Sequence, residues 1–315
     1  MPSTIALKQR IKSVKSTRQI TKAMQLVSAS KMKRAQEYAQ RSRDYRNAAT
    51  GLMQRLGHLE DTKQEPLFQR RPVKRRLYIV VTSNSGLAGA YNANVLKLLT
   101  KVLKADDKAG IASDVITIGS KAAQFVRRLK DVELASAYHA FGDNPTANDI
   151  RPLLNTVLEQ FTAAKTDEVH ILYTEFKSNL VQEATDLQLL PAMPLPLPDG
   201  VKPIATFEPS VEAVIEEVVE RLIEAQLWQA ILESLASEHS MRMIAMKNAT
   251  DNAKDLIDDY TLELNTARQA TDRASAEADA VRPLVEAERR RVQVEKDNEV
   301  AAQQAKLRDT ELDRS

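Results

Sequence analysis

The stretch RIKSVKSTRQITKAMQLVSASKMKRAQ, residues Arg10 to Gln36, decides the fold. It lies in a longer segment, between Pro2 and Gly51, that holds neither Gly nor Pro, so nothing in it breaks a helix. At about 1.5 Å per residue such a segment would extend roughly 70 Å. Apolar Leu7, Ile11 and Val14, then Ile20, Met24 and Val27, recur at three or four, with small Ala23, Ser28, Ala29 and Ser30 between them. That stripe is narrow, which suits a seam between two helices; a globular core would demand a wider face. Residues 1–46 carry twelve Lys/Arg against Glu37 and Asp44, a net 12 − 2 = +10, whereas the whole chain is +2. The charge is polarised along the sequence, and such asymmetry points to an acidic partner.

A helical counterpart lies at the far end. From Ser210, which follows Pro209 and is placed to act as an N-cap, to Arg282 there is again no Gly or Pro, enough for roughly 110 Å of helix. Ile231, Leu235, Ala245, Ala249, Ala253, Leu256, Tyr260, Leu264 and Ala267 fall near one stripe, and the alanines allow close approach of another helix. The partner of suitable length in this chain is the N-terminal rod, paired antiparallel.

Between the rods the pattern changes after QRRPVKRR (Gln69 to Arg76). Leu77 to Ser83, Asp114 to Gly119, Glu168 to Phe176 and, more weakly, Leu134 to Phe141 have the β-branched runs of strands. Asn94 to Leu103, Lys121 to Leu129 and Asp149 to Ala164 read as helices. Strand and helix in alternation imply a βαβ layer with a mainly parallel sheet, closed by the proline-rich loop Leu189 to Gly200. The expected class is α+β, a long antiparallel two-helix coiled coil plus a small α/β, Rossmann-like domain. The expected boundaries are 1–60 for the first rod, 77–205 for the α/β domain, 210–282 for the second rod and 283–315 for a charged tail.

Little chemistry is visible. With no Cys there is no disulfide, thiolate metal site or cysteine nucleophile. No apolar run approaches the roughly 20 residues that cross a bilayer. A P-loop is absent, and SNSGLAGAYN (Ser83 to Asn92), although it follows a strand and contains Gly86 and Gly89, does not match the dinucleotide fingerprint. His58, His139, His170 and His239 are scattered without metal-ligand spacing. No catalytic, cofactor or metal residues are expected. The basic rod alone would also suit a coiled-coil nucleic-acid binder, but it has almost no aromatics to stack on bases.

Two motifs resemble a known family. RIKSVKSTRQITKAMQLVSASKMKRAQ is similar to the N-terminal signature of the gamma subunit of F-type ATP synthases. ESLASEHSMRMIAMKNATDNAKDLI (Glu233 to Ile257), with LNTARQA (Leu264 to Ala270), is similar to its C-terminal signature. SNSGLAGAYN and FGDNP (Phe141 to Pro145) fit between them, and the resemblance covers about residues 4–270.

That resemblance implies a rotor shaft. The coiled coil would stand inside a ring of three alpha and three beta subunits, and the α/β domain would sit on the membrane c-ring with the epsilon subunit. Catalysis would belong to beta, and the shaft would couple rotation to it through differential contacts. Residue by residue, the resemblance puts Lys22, Met24, Lys31, Lys33, Arg34, Arg242, Arg268 and Gln269 at contacts with the ring. It puts Gly86, Leu87, Gly89 and Asn92 in a loop at the rotor base. Asn84 and Ser85 stand where many members have an acidic and a basic residue. The expected location is peripheral, on the cytoplasmic face of a bacterial plasma membrane, because the motif begins close to Met1. After Ala270 the chain departs from the family's short apolar ending. Thr271 to Ser315 hold eleven acids and nine bases, with Pro283 expected to interrupt the helix, so the charged tail from Leu284 is expected outside the apolar bearing at the top of the ring.

Overall fold

A computed structural model describes residues 3–56, 65–142, 145–192 and 211–312. The Ser210 N-cap, most of the proline-rich loop, Asp143 and Asn144 of FGDNP, and the expected end of the α/β domain at 205 lie outside the described residues.

Two helices bracket the chain, α1 (Thr4–Leu56) and α5 (Val211–Leu312). Between them run β1 (Arg75–Val81), α2 (Tyr91–Ala109), β2 (Ala112–Ile118), α3 (Ser120–Val126), β3 (Glu133–Tyr138), α4 (Ala147–Thr162), β4 (Glu168–Phe176) and β5 (Gln182–Leu190). The strands form one sheet of order β3-β2-β1-β4-β5. Its first three pairings are parallel, and β4 with β5 is an antiparallel hairpin.

Period-two alternation sends successive side chains to opposite faces, so both faces can be covered. Leu77, Ile79 and Val81 of β1 join Ile116, Ile118, Val169 and Ile171 on one face, beneath α4 (Ile150, Leu153, Leu154, Val157, Phe161) and the first turns of α5 (Val219, Leu222, Ile223, Leu227, Ile231). Tyr78, Val80, Val115 and Leu172 face the other way, beneath Val95 and Leu99 of α2 and Ala122 and Val126 of α3. Full burial of each such side chain contributes about 1.5–3 kcal/mol before chain entropy is counted.

The chain divides into two compact units, residues 19–250 and residues 1–18 with 251–315. In the larger unit α1 and α5 run antiparallel: Thr250 donates to Thr21 (Oγ1 to Oγ1, 2.8 Å), and Arg43 lies 3.8 Å from Glu233. The α1 seam is Thr21, Ser28, Met32, Ala35, Ala39, Ser42 and Ala49, all buried. This corrects the expected stripe in its middle. Met24 is half-buried, but Ile20 and Val27 are 61% and 54% exposed. A hydroxyl-to-hydroxyl contact across the pair needs the backbones close together. Small residues permit that approach, so the bulky ones are turned outward.

In the smaller unit the expected stripe holds on α1, and on α5 at every position but Leu256. Leu7 is buried, Ile11 and Val14 are half-buried, and Ala253, Ile257 and Leu264 are buried on α5. Arg10 lies over the ring of Tyr260 at 6.0 Å. Ile257, and not the expected Leu256, occupies the seam, because a step of four from Ala253 keeps the face where a step of three drifts off it.

Two further differences concern elements. Gln182 to Leu190 is a strand that its composition, poor in β-branched residues, does not announce. Nor does α5 stop at Pro283; it continues to Leu312. A proline removes one helical hydrogen bond and crowds one carbonyl, and here it is flanked by strong helix formers and spanned by an Arg282–Glu286 pair at 3.6 Å.

Candidate partner interface

The loop after β1 is built by its own polar side chains. Asn92 Oδ1 accepts from the Ser83 amide at 3.0 Å, and Asn92 Nδ2 donates to Ser83 Oγ at 2.8 Å. Leu87 and Gly89 both have positive φ, 61° and 56°. Asn84 uses both ends of its amide: Nδ2 donates to the Ala140 carbonyl at 3.2 Å, while Oδ1 accepts from the Ala140 and Ser120 amides at 3.0 and 3.2 Å. It thereby ties β1 to the segments following β2 and β3, and an aspartate could not supply the donated bond. Gly86, Leu87 and Gly89 are exposed, and Asn92 is half-buried and internally bonded.

The same loop is clamped onto α5. Tyr91 and Ser234 share a hydrogen bond of 2.7 Å, and burial pushes the Tyr91 phenol well above the usual tyrosine range. A carbon at the Cβ position of Gly89 would be 3.7 Å from the Met241 carbonyl oxygen, so the loop backbone lies against the helix. Arg242 completes the clamp: its Nη2 is 2.7 Å from Glu238 Oε1 and donates to Ser85 Oγ at 3.3 Å, and its Nη1 donates to His239 Nδ1 at 3.4 Å. Its side chain is 10% exposed, so it turns inward among groups of its own chain. Sequence reasoning could place Arg242 on α5 but could not see which loop covers it.

The β4–β5 turn is held between both long helices. Gln36 Nε2 donates to Asn179 Oδ1 at 2.7 Å, and Ser240 Oγ donates to the Asn179 carbonyl at 3.1 Å. At the sheet's opposite end, Arg76 bridges Asp106 and Glu168, Tyr78 donates to Asp106 at 2.6 Å, and His170 Nδ1 lies 2.8 Å from Asp186. Burial would lower the Arg76 pKa, but its hydrogen bonds to the two carboxylates outweigh that and raise it. Burial, then the bond to Asp106, raises Tyr78. These charges neutralise one another within the wall of the domain. Among the described residues no group of three or more potential ligands could hold a metal.

The remaining predicted contacts divide by helix. On α1, Lys22, Lys33 and Arg34 are exposed, and Met24 and Lys31 are half-buried. They share the helix with exposed Ile20, Leu26 and Val27, so α1 presents an apolar and cationic outer surface. On α5, Arg268 and Gln269 are exposed. In the larger unit Lys22, Met24, Lys31, Lys33 and Arg34 share one helix, whereas Arg242 belongs to the internal clamp.

The family model described as ATP synthase matches residues 3–271. The ATP synthase gamma chain of Roseiflexus sp. (strain RS-1) is 41% identical over 272 residues, covering 86% of this chain and 93% of that one. That of Stenotrophomonas maltophilia (strain R551-3) is 40% identical over 280 residues, covering 86% and 94%. Among solved structures, the central stalk and c-ring of Tetrahymena thermophila mitochondrial ATP synthase contains a chain that matches with TM-score 0.58 and 25% identity, over 73% of this chain and 99% of that one. The rotor of Euglena gracilis mitochondrial ATP synthase gives TM-score 0.63 at 18% identity, covering 85% and 98%, a likeness of fold. Paired terminal helices, the parallel sheet with its antiparallel edge, and matching sequence from residue 3 to residue 271 lead to one conclusion: the chain belongs to the ATP synthase gamma-chain family.

Proposed function

We propose that this chain is the central shaft of an F-type ATP synthase, transmitting rotation between a membrane c-ring and catalytic sites carried by beta subunits. The observation that carries the proposal is the extent of the family match, which takes in α1, the sheet and α5 as far as residue 271. The outer surface of α1 supports it: Ile20, Leu26 and Val27 are exposed beside Lys22, Lys33 and Arg34. An apolar and cationic surface of this kind suits the inside of an alpha and beta ring with acidic segments.

Exposed ion pairs are worth about 0–1 kcal/mol each, so many weak contacts would guide a turning shaft without trapping it. Arg268 and Gln269 are the polar contacts proposed for α5, and the Ser83 to Asn92 loop is proposed to belong to the base that meets the epsilon subunit and the c-ring. Catalysis is assigned to beta and not to this chain, in which, among the described residues, the buried carboxylates Asp106, Asp114, Glu233 and Glu238 each lie against an arginine of the same chain. No helix among the described residues is long and apolar enough to cross a membrane. Membrane association is therefore proposed to be indirect, at the cytoplasmic face of a bacterial membrane.

Co-expression with alpha and beta subunits tests the assignment. A stable complex with ATPase activity is expected; separate elution of this chain from an alpha and beta ring would overturn it.

A further inference from the structure

We propose that residues 274–296 of α5 are a docking strand for an acidic amphipathic helix of another subunit. In the smaller unit the α5 seam runs through Ala253, Ile257, Tyr260, Leu264 and Ala267 in steps of four and three. The same steps continue without a skip through Thr271, Ala274, Ala278, Val281, Val285, Glu288 and Val292. Ala253, Ile257 and Leu264 are buried, yet every residue from Arg268 to Ala301 is exposed. Val281, Val285 and Val292 are 51%, 48% and 44% exposed, and α5 remains helical throughout. An alternation of four and three is what a helix needs to keep one face toward a helical partner, and it serves no purpose on a solvated rod. The family match stops at residue 271, so this continuation belongs to this chain's own extension.

The chemistry of the occupant follows from the flanks. Across residues 274–296 the charged and apolar positions beside the seam are Glu277, Arg282, Leu284, Arg289, Arg291 and Lys296, four cations against one carboxylate. Leu284, 69% exposed, widens the apolar stripe. Arg282 is tied to Glu286 at 3.6 Å on its own helix, an exposed pair weak enough to be exchanged for a partner carboxylate. A second copy would bring like flanks together, which is repulsive, whereas a helix with Glu or Asp beside its own apolar stripe pairs with them. Glu288 and Glu295, the charged residues at stripe positions, fix the register by facing bases or amides of the occupant. At about 1.5 Å per residue this helical segment offers roughly 35 Å, a length that calls for about six turns of partner helix.

The test uses the full chain in its purified ATP synthase complex, with the photoreactive amino acid benzoylphenylalanine in place of Val285, or in place of Arg290 on the opposite side of α5. The expected result is a Val285-specific cross-link, mapped by mass spectrometry to a helix of a different subunit with carboxylates flanking its apolar stripe. Arg289→Glu with Arg291→Glu should lower its yield about tenfold, equivalent to about 1.4 kcal/mol, while Arg289→Lys with Arg291→Lys should leave it unchanged. Far-UV circular dichroism of the isolated full chain, to which the 102-residue α5 contributes its helical signal, should be the same in all variants, which separates lost docking from loss of the helix. The proposal is overturned by equal yields at the two positions, by no cross-link, by a cross-link to a second copy of this chain, or by a partner segment without flanking carboxylates.

Discussion

Replacing Arg242 by methionine should cost the isolated full chain about 3 kcal/mol of stability. The guanidinium lies 2.7 Å from Glu238, and the two side chains are 10% and 11% exposed. It also donates to Ser85 and to His239. Removing it deprives a largely buried carboxylate of this cation and unfastens the Ser83 to Asn92 loop from α5. Breaking a buried pair by deleting one partner costs about 3–5 kcal/mol, and the residual exposure favours the lower end. In a unit of this size about 3 kcal/mol lowers Tm by roughly 6–12 °C. Urea unfolding followed by Trp228 gives the free energy directly, since Trp228 is the chain's single tryptophan and packs against the α/β core. Glu238→Gln should be destabilising too, and the double variant should fall short of the sum of the singles by at least about 1 kcal/mol. A loss below about 1 kcal/mol, or strict additivity, would refute the reasoning and free Arg242 for a contact outside the chain.

Other consequences can be checked separately. Gly119→Ala should cost at least about 3 kcal/mol, because φ is 99° and a Cβ would lie 2.1 Å from the Thr82 carbonyl oxygen; Gly110→Ala, with φ 71° and open space, should cost only about 1–2 kcal/mol in thermal melts. The Asp149 carboxylate is held below its usual value, first by the Thr146 amide and then by the Thr146 hydroxyl. A depressed folded pKa adds stability above the unfolded value and loses it as pH falls through the folded one. Asp149→Asn should therefore lower Tm at neutral pH, with the gap closing below about pH 4; a gap independent of pH contradicts this. Arg268→Ala with Gln269→Ala should change stability by no more than about 0.5 kcal/mol yet weaken coupling, read as reduced ATP-driven proton pumping in a reconstituted complex.

The two long helices were legible because legibility there needs only the absence of breakers and a period near 3.5. The βαβ alternation was legible for the same kind of reason: β1 and β2 carry close-set Val and Ile, and β4 carries Val169, Ile171 and Leu172. What escaped were features decided across the sequence. Among the described residues β5 pairs along one edge, so QEATDLQLL needs no β-branched run and gives no such signal. Hydrophobicity chose Ile20 and Val27 for a seam that Thr21 and Ser28 occupy, because contact distance between backbones outweighs side-chain size. Arg242 carries the family motif, and only the fold discloses that the Ser83 to Asn92 loop closes over it. Pro283 looked like a terminus, but one missing hydrogen bond does not end a helix with strong formers on both sides.

The central claim is mechanical. The most direct measurement attaches a fluorescent or gold probe to this chain in a surface-fixed complex with alpha and beta subunits, supplies ATP, and records the probe's angle. Unidirectional rotation that begins with ATP and ceases without it is the result predicted for a shaft. ATP hydrolysis in a stable complex with the probe stationary would contradict it.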